Sequence, residues 1–279
     1  MGMRKLLLIA TIFFSLYSSG QTPMFKLIAK KAAACTPDAD AQAFIDSVGI
    51  TVQSEKDAIC NLVSQLKSNS LWAKGIAIYP LSGTSATSQK WNLKDPRDVN
   101  AAYRITWSGT LTHNSSGVKP SSGGKGLFNL AYNSIDIDSF SIAAYITENA
   151  SSGYGAVGVA ANISELYSPF PGGNIYLWKY GNNLVSTNGA TGSGDARGFY
   201  LGNSSSAGTS AWYNGSSKSS QSTVATSTTT TTSYSINPAS FFTNTIGLVW
   251  MGWGLTNSEI STLNTIIETY MDAVGRGYQ

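Results

Sequence analysis

The sequence predicts a mainly β protein: two antiparallel sheets stacked as a sandwich, with an N-terminal helical segment and a closing helix at the C-terminal side. Three observations predict it. From Gly75 onward, short runs rich in Ile, Val and aromatics are separated by clusters of Gly, Pro, Asn and Ser, the punctuation of an all-β domain. Hydrophobic residues make up 42% of the 279, but charged residues only 12%, about half the usual share of roughly 25%. A sizeable core is therefore available beneath a surface of Ser, Thr, Asn and Gly. The stretch "GLTNSEISTLNTIIETY" at 254–270 then breaks the β pattern with an amphipathic helical period.

In chain order, residues 1–20 read as a signal-like leader. Arg4 and Lys5 precede an apolar run from Leu6 to Leu16, and Ser18 and Gly20 come before a cut at Gln21. The run is shorter than the roughly 20 residues of a membrane span. Met24, opening "MFKLIAKKAAA", is a second candidate start. Residues 21–36 form a linker, 37–74 the helical segment and 75–279 the sandwich. In "CTPDADAQAFIDSVG", Thr36 is the expected N-cap, Pro37 the first helical residue and Gly49 the stop. In "TVQSEKDAICNLVSQLKSNSLW", Ser54 and Asp57 suggest a capping box, while Ile59, Leu62, Val63 and Leu66 fall on one stripe. Cys35 and Cys60 are the only cysteines. A disulfide between them and two separate thiols both stay open.

Within the sandwich, "SFSIAAYIT" places Phe140, Ile142, Ala144 and Ile146 on one face of a strand and Ser141, Ala143 and Tyr145 on the other. Asn214-Gly215 fits a two-residue hairpin turn that needs positive φ at both positions. The threonine-rich tract at 222–236 reads equally as a strand or a solvated loop. Thr256 and Glu259 form a capping box for the final helix. Ile260, Leu263, Ile267, Tyr270, Met271 and Val274 are its buried stripe, and Gly275 its end. Such a helix is expected to lie across an end or edge of the sandwich. Trp250 and Trp253 are expected in the core.

Three segments together resemble the concanavalin A-like (laminin G-like) jelly roll: "FSIAAYITENASSGYGAVG", "ARGFYLGNSSSAGTSAWYNGSSKSS" and "FFTNTIGLVWMGWGLTNSEISTLNTIIETYMDAVGR". The similarity runs from about Asn100 to Arg276. Residues 38–98 resemble a segment that precedes this sandwich in proteins of tailed phages and prophages. The resemblance implies a jelly-roll sandwich in a virion or tail-associated protein, with carbohydrate affinity as a family trait.

The chemistry of the residues narrows this further. A net charge of +3, with no basic stripe beyond Lys30-Lys31, argues against nucleic acid. Some relatives of this fold hydrolyse β-glucans with Glu-x-Asp-x-x-Glu. Here "NSIDIDSFS" offers Asp136 and Asp138 but neither glutamate, and glycoside hydrolysis needs a carboxyl pair. His113, the single histidine, sits in a turn-like segment, and no Gly-x-Ser-x-Gly elbow occurs. No enzyme activity is expected. No cofactor is required. Ca²⁺ is the one candidate, on Asp136, Asp138 and Asp195, against the plainer reading of solvated loop acids.

For a sugar, the candidate contacts are Tyr176, Trp178 and Tyr180 of "NIYLWKY", together with Trp212, Tyr213 and Asn214; core packing is the competing role for the aromatics. Sequons at Asn114, Asn149, Asn162, Asn203 and Asn214 are expected by chance in so Ser- and Asn-rich a chain. The expected function is a non-enzymatic phage or prophage virion protein, structural or for surface attachment, that binds carbohydrate. A secreted bacterial carbohydrate-binding module is the alternative, and a glycan hydrolase the third. Expected partners are virion or cell-surface components, polysaccharide and further copies of the chain, with no stable membrane span. The expected location is the virion or the extracellular space.

Overall fold

The computed structural model describes residues 38–121, 123–150, 155–159, 164–167, 174–180, 183–190, 195–221 and 231–278. The described residues hold three α-helices: α1 (Ala39–Val48), α2 (Gln53–Ser68) and α3 (Asn257–Ala273). The strands are β1 (Gly75–Tyr79), β2 (Thr106–Ser108), β3 (Leu111–Asn114), β4 (Gly117–Pro120), β5 (Lys125–Ala131), β6 (Phe140–Ile146), β7 (Gly155–Val159) and β8 (Ser164–Tyr167). They continue as β9 (Asn174–Tyr180), β10 (Asn183–Ala190), β11 (Gly198–Ser205), β12 (Gly208–Tyr213), β13 (Ser216–Gln221), β14 (Ser233–Ile236) and β15 (Ile246–Gly252).

Among the described residues, sheet one runs β13-β12-β11-β6-β15-β4-β3, with β1 also paired to β15, and sheet two runs β10-β9-β8-β7-β14-β5-β2. All of these pairings are antiparallel. The protein is thus a two-sheet antiparallel sandwich with a short helical part before it and a helix after it, as the sequence predicts. The Asn214-Gly215 hairpin joins β12 to β13 with φ of 46° and 72°, the turn its residues require.

The alternation in β6 sorts side chains into two cores. Phe140, Ile142, Ala144 and Ile146 face the space between the sheets, among Tyr79, Phe128 and Tyr200. Ala143 and Tyr145 face the other way, into a second core with Leu248, Trp250, Phe44, Ile59, Leu66, Ile260 and Ile267. That second core is filled by all three helices. The N-terminal helices therefore dock on the outer face of sheet one, and α3 lies on the same face rather than across an end or edge. The reason is in the strands: β6 and β15 are apolar on both sides, so both faces need cover.

The helix ends refine the sequence reading. Asp38 is the cap of α1 and accepts from the Asp40 N–H at 3.0 Å. Thr36 and Pro37 lie outside the described residues. Gly49 closes α1 at φ 77°. Val52 is the N-cap residue of α2 and makes no side-chain cap, with Ser54 already inside the helix. The stripe of Ile59, Leu62, Val63 and Leu66 is buried as expected. For α3 the capping box is present: Thr256 Oγ1 accepts from the Glu259 N–H, and Glu259 accepts from the Thr256 N–H. Lys67 of α2 reaches back to Asp38 and Asp40 at 2.6 and 2.5 Å, tying α2 to the start of α1.

Candidate functional site

The sequence-predicted contacts divide three ways. Tyr176, Trp178 and Tyr180 lie on β9, and their side chains fall outside the described residues. Trp212 and Tyr213 do point to opposite faces of β12, but both faces are covered, so neither is a surface platform. Trp212 belongs to the helix-side core and donates to Ser210 Oγ. Tyr213 belongs to the inter-sheet core, where its hydroxyl donates to the Arg197 carbonyl. Burial pushes the Tyr213 phenol up to about 12. Asn214 ties its hairpin turn back to β11, its Oδ1 accepting from the Phe199 N–H at 2.7 Å.

The three aspartates do not converge. Asp136 and Asp138 belong to a single 3-10 turn just before β6, with Asp136 accepting from the Asp138 N–H. They do not lie on one strand face. Asp195 precedes the far end of β11, an arm of roughly 20 Å at strand rise. Arg197 pairs with it at 2.7 Å and holds its carboxyl below the usual carboxylate range. Among the described residues, no group of three His, Cys, Asp or Glu could hold a metal ion. His113 lies on strand β3 rather than in a turn, its Nδ1 2.7 Å from Gln89 Oε1 and its ring edge-on to Trp107. Burial lowers its pKa. Cys60 is buried on α2, and Cys35 is outside the described residues. Trp250 is fully buried as expected, but Trp253 is 38% exposed, because β15 ends at Gly252 and the chain turns outward there.

Asp136 and Asp138 do meet other polar residues. With Lys74, Ser139, Ser205, Ser206, Asn257 and Ser258 they line an open groove of about 1000 Å³ at one end of sheet one. Its walls are the 3-10 turn, the β11–β12 turn and the start of α3. Hydrogen bonds tie its walls to each other and to the core. The Gly254 N–H donates to Ser139 Oγ at 3.2 Å, and Ser141 Oγ donates to the Trp253 carbonyl while accepting from Trp250 Nε1. At Gly254 a Cβ would come within 2.4 Å of the Ser204 carbonyl oxygen, so only glycine allows this approach of α3 to β11. Lys74 Nζ lies 3.6 Å from Glu259 and 3.4 Å from the Gly254 carbonyl.

Chemically, the groove offers hydroxyl, amide and carboxylate groups at fixed positions, the complement of a ligand rich in hydroxyls. The sequence pointed to Asp136 and Asp138 but not to Lys74, Ser139, Ser205 or Asn257. No local motif marks those four, which are gathered only by the register of β6, β11 and β15.

No family model matches the chain, and no curated protein sequence matches it. Among solved structures it is similar to domain 4 of AbnA, a GH43 extracellular arabinanase from Geobacillus stearothermophilus, in complex with arabinotriose. Identity is 14% and the TM-score 0.50, over 68% of this chain and 98% of that one. It also matches a mutant Trypanosoma rangeli sialidase displaying trans-sialidase activity, at 13% identity and TM-score 0.49, over 78% of this chain. The chain spans only 39% of that sialidase. At 14% identity the likeness to the arabinanase domain is one of fold alone, a β-sandwich.

Proposed function

We propose that the protein is a non-catalytic phage or prophage virion protein, structural or for surface attachment, whose sandwich binds carbohydrate; a secreted carbohydrate-binding module is the second reading. The observation that carries this reading is the polar groove lined by Asp136, Asp138, Ser139, Ser205 and Asn257. Its side chains match sugar hydroxyls, and its two aspartates share one turn instead of flanking a bond from opposite sides, as a glycosidase pair must. The arabinotriose-bound domain with the same fold supports the ligand class. The virion setting is supported by the resemblance of residues 38–98 to a phage-encoded leader. The secreted setting is supported by the apolar run from Leu6 to Leu16.

The test is a glycan array followed by calorimetry on the best ligands, arabino-oligosaccharides included. Asp138→Ala and Asn257→Ala are each expected to weaken binding about tenfold, or ~1.4 kcal/mol. No reducing ends should be released during long incubation. A folded protein that binds no glycan overturns the binding reading, and glycan cleavage overturns the non-catalytic one.

A further inference from the structure

Asn203 is one of the chance sequons, yet it is 2% exposed and both ends of its amide are used. Its Nδ2 donates to the Leu255 carbonyl at 3.0 Å, and its Oδ1 accepts from the Leu255 N–H at 2.8 Å. One side chain thus pairs with both polar groups of a single residue, as a neighbouring strand would. The pairing extends the hydrogen bonding of sheet one beyond the end of β15, across to the segment that opens α3. On the same strand, two residues further on, β11 ends at Ser205 and enters the turn that forms another groove wall.

From this geometry we infer that Asn203 is the positioning residue of the groove. It sets the register of the wall at 205–207 against the wall at 254–258, and hence which oligosaccharides fit between them. The inference rests on the groove being the carbohydrate site, and it assigns that site's selectivity to a residue outside its lining. The direct contact of Gly254 with β11 fixes how near the walls can come. The Asn203 amide fixes their sliding and twist, because two parallel hydrogen bonds to one residue allow neither. An alanine leaves the Leu255 N–H and carbonyl without these partners in a buried place, so the segment must shift to find others.

The experiment compares Asn203→Ala with Ile59→Val, which trims the helix-side core from α2 and does not line the groove. Calorimetry on a ladder of oligosaccharides should show Asn203→Ala losing about tenfold in affinity, with the preference between chain lengths flattened, while Ile59→Val keeps both. Equal binding profiles for the two variants overturn the inference. A parallel NMR readout needs no ligand. In Asn203→Ala the amide resonances of Ser205–Ala207 and of Asn257–Ser258 should move together, and in Ile59→Val neither set should. If the wild-type chain binds no sugar but the two sets move together, the clamp stands and the carbohydrate reading falls. If only the Leu255 region moves, the clamp falls.

Discussion

The two sheets solve different problems. The central strands of sheet one are buried on both faces, against sheet two on one side and three helices on the other. Along β6 and β15 every residue is buried, polar Ser141 included. In sheet two, β5 alternates instead: Phe128 and Leu130 are buried, Leu127 is 38% exposed and Asn129 half-buried. The difference teaches how to read an antiparallel strand. Along β5 the alternation leaves one face open, whereas β6 and β15, apolar on both faces, lie between sheet two and the helix layer.

The strongest test of that contrast is Trp250→Ala. The side chain is fully buried between sheet one and the helices, and its Nε1 donates to Ser141 Oγ. Urea denaturation should show a loss of about 3–5 kcal/mol. A loss below about 1 kcal/mol would mean the helices rest loosely on the sheet.

How far the sequence revealed this architecture depends on the range of each signal. The capping box of Thr256 and Glu259, the Asn214-Gly215 turn and the two faces of β6 were legible because each is decided within a few residues. The third layer was not. Nothing near α3 distinguishes an edge from a face as its resting place, and the clue lay in Ala143 and Tyr145, over a hundred residues away. Trp253 was misplaced because its exposure depends on where β15 stops. The groove was half legible: Asp136 and Asp138 stood out as acids, while Lys74, Ser139, Ser205 and Asn257 carry no pattern until strands of distant sequence are aligned. Trp212 and Tyr213 show the opposite failure, since a strand that exposes one face in a two-layer protein buries both in a three-layer one.

A smaller effect is expected from Thr256→Ala, which removes the cap of α3 and should cost about 1 kcal/mol. The same variant probes whether the groove wall loosens with the helix layer, by hydrogen exchange at Asn257 and Ser258.

The helix-covered face should also carry a pH signature. Burial raises the Glu268 carboxyl above its ordinary value, although the Tyr145 hydroxyl donates to it at 2.7 Å. A carboxyl raised by folding contributes stability that is present below its unfolded value and is lost as pH rises through the folded one. Glu268→Gln should therefore flatten the stability profile just above the usual carboxylate range, read as midpoints of urea unfolding across that window. An unchanged profile would show that the carboxyl sees water as freely as on sheet two's outer face. The smallest change is expected for Leu127→Ala on that outer face, within about 0.5 kcal/mol. A loss as large as that of Trp250→Ala would erase the distinction between the sheets.

The position of β15 has a consequence for how the chain is made. One of its edges pairs with β6, and the other is shared end to end by β1 and β4. The middle of sheet one thus leaves the ribosome well after β1, the first of the described strands. At about 5–20 residues per second, β1 waits on the order of 10–30 s for its partner. Until β15 arrives, β1 and β6 each present an edge that could pair wrongly with another chain.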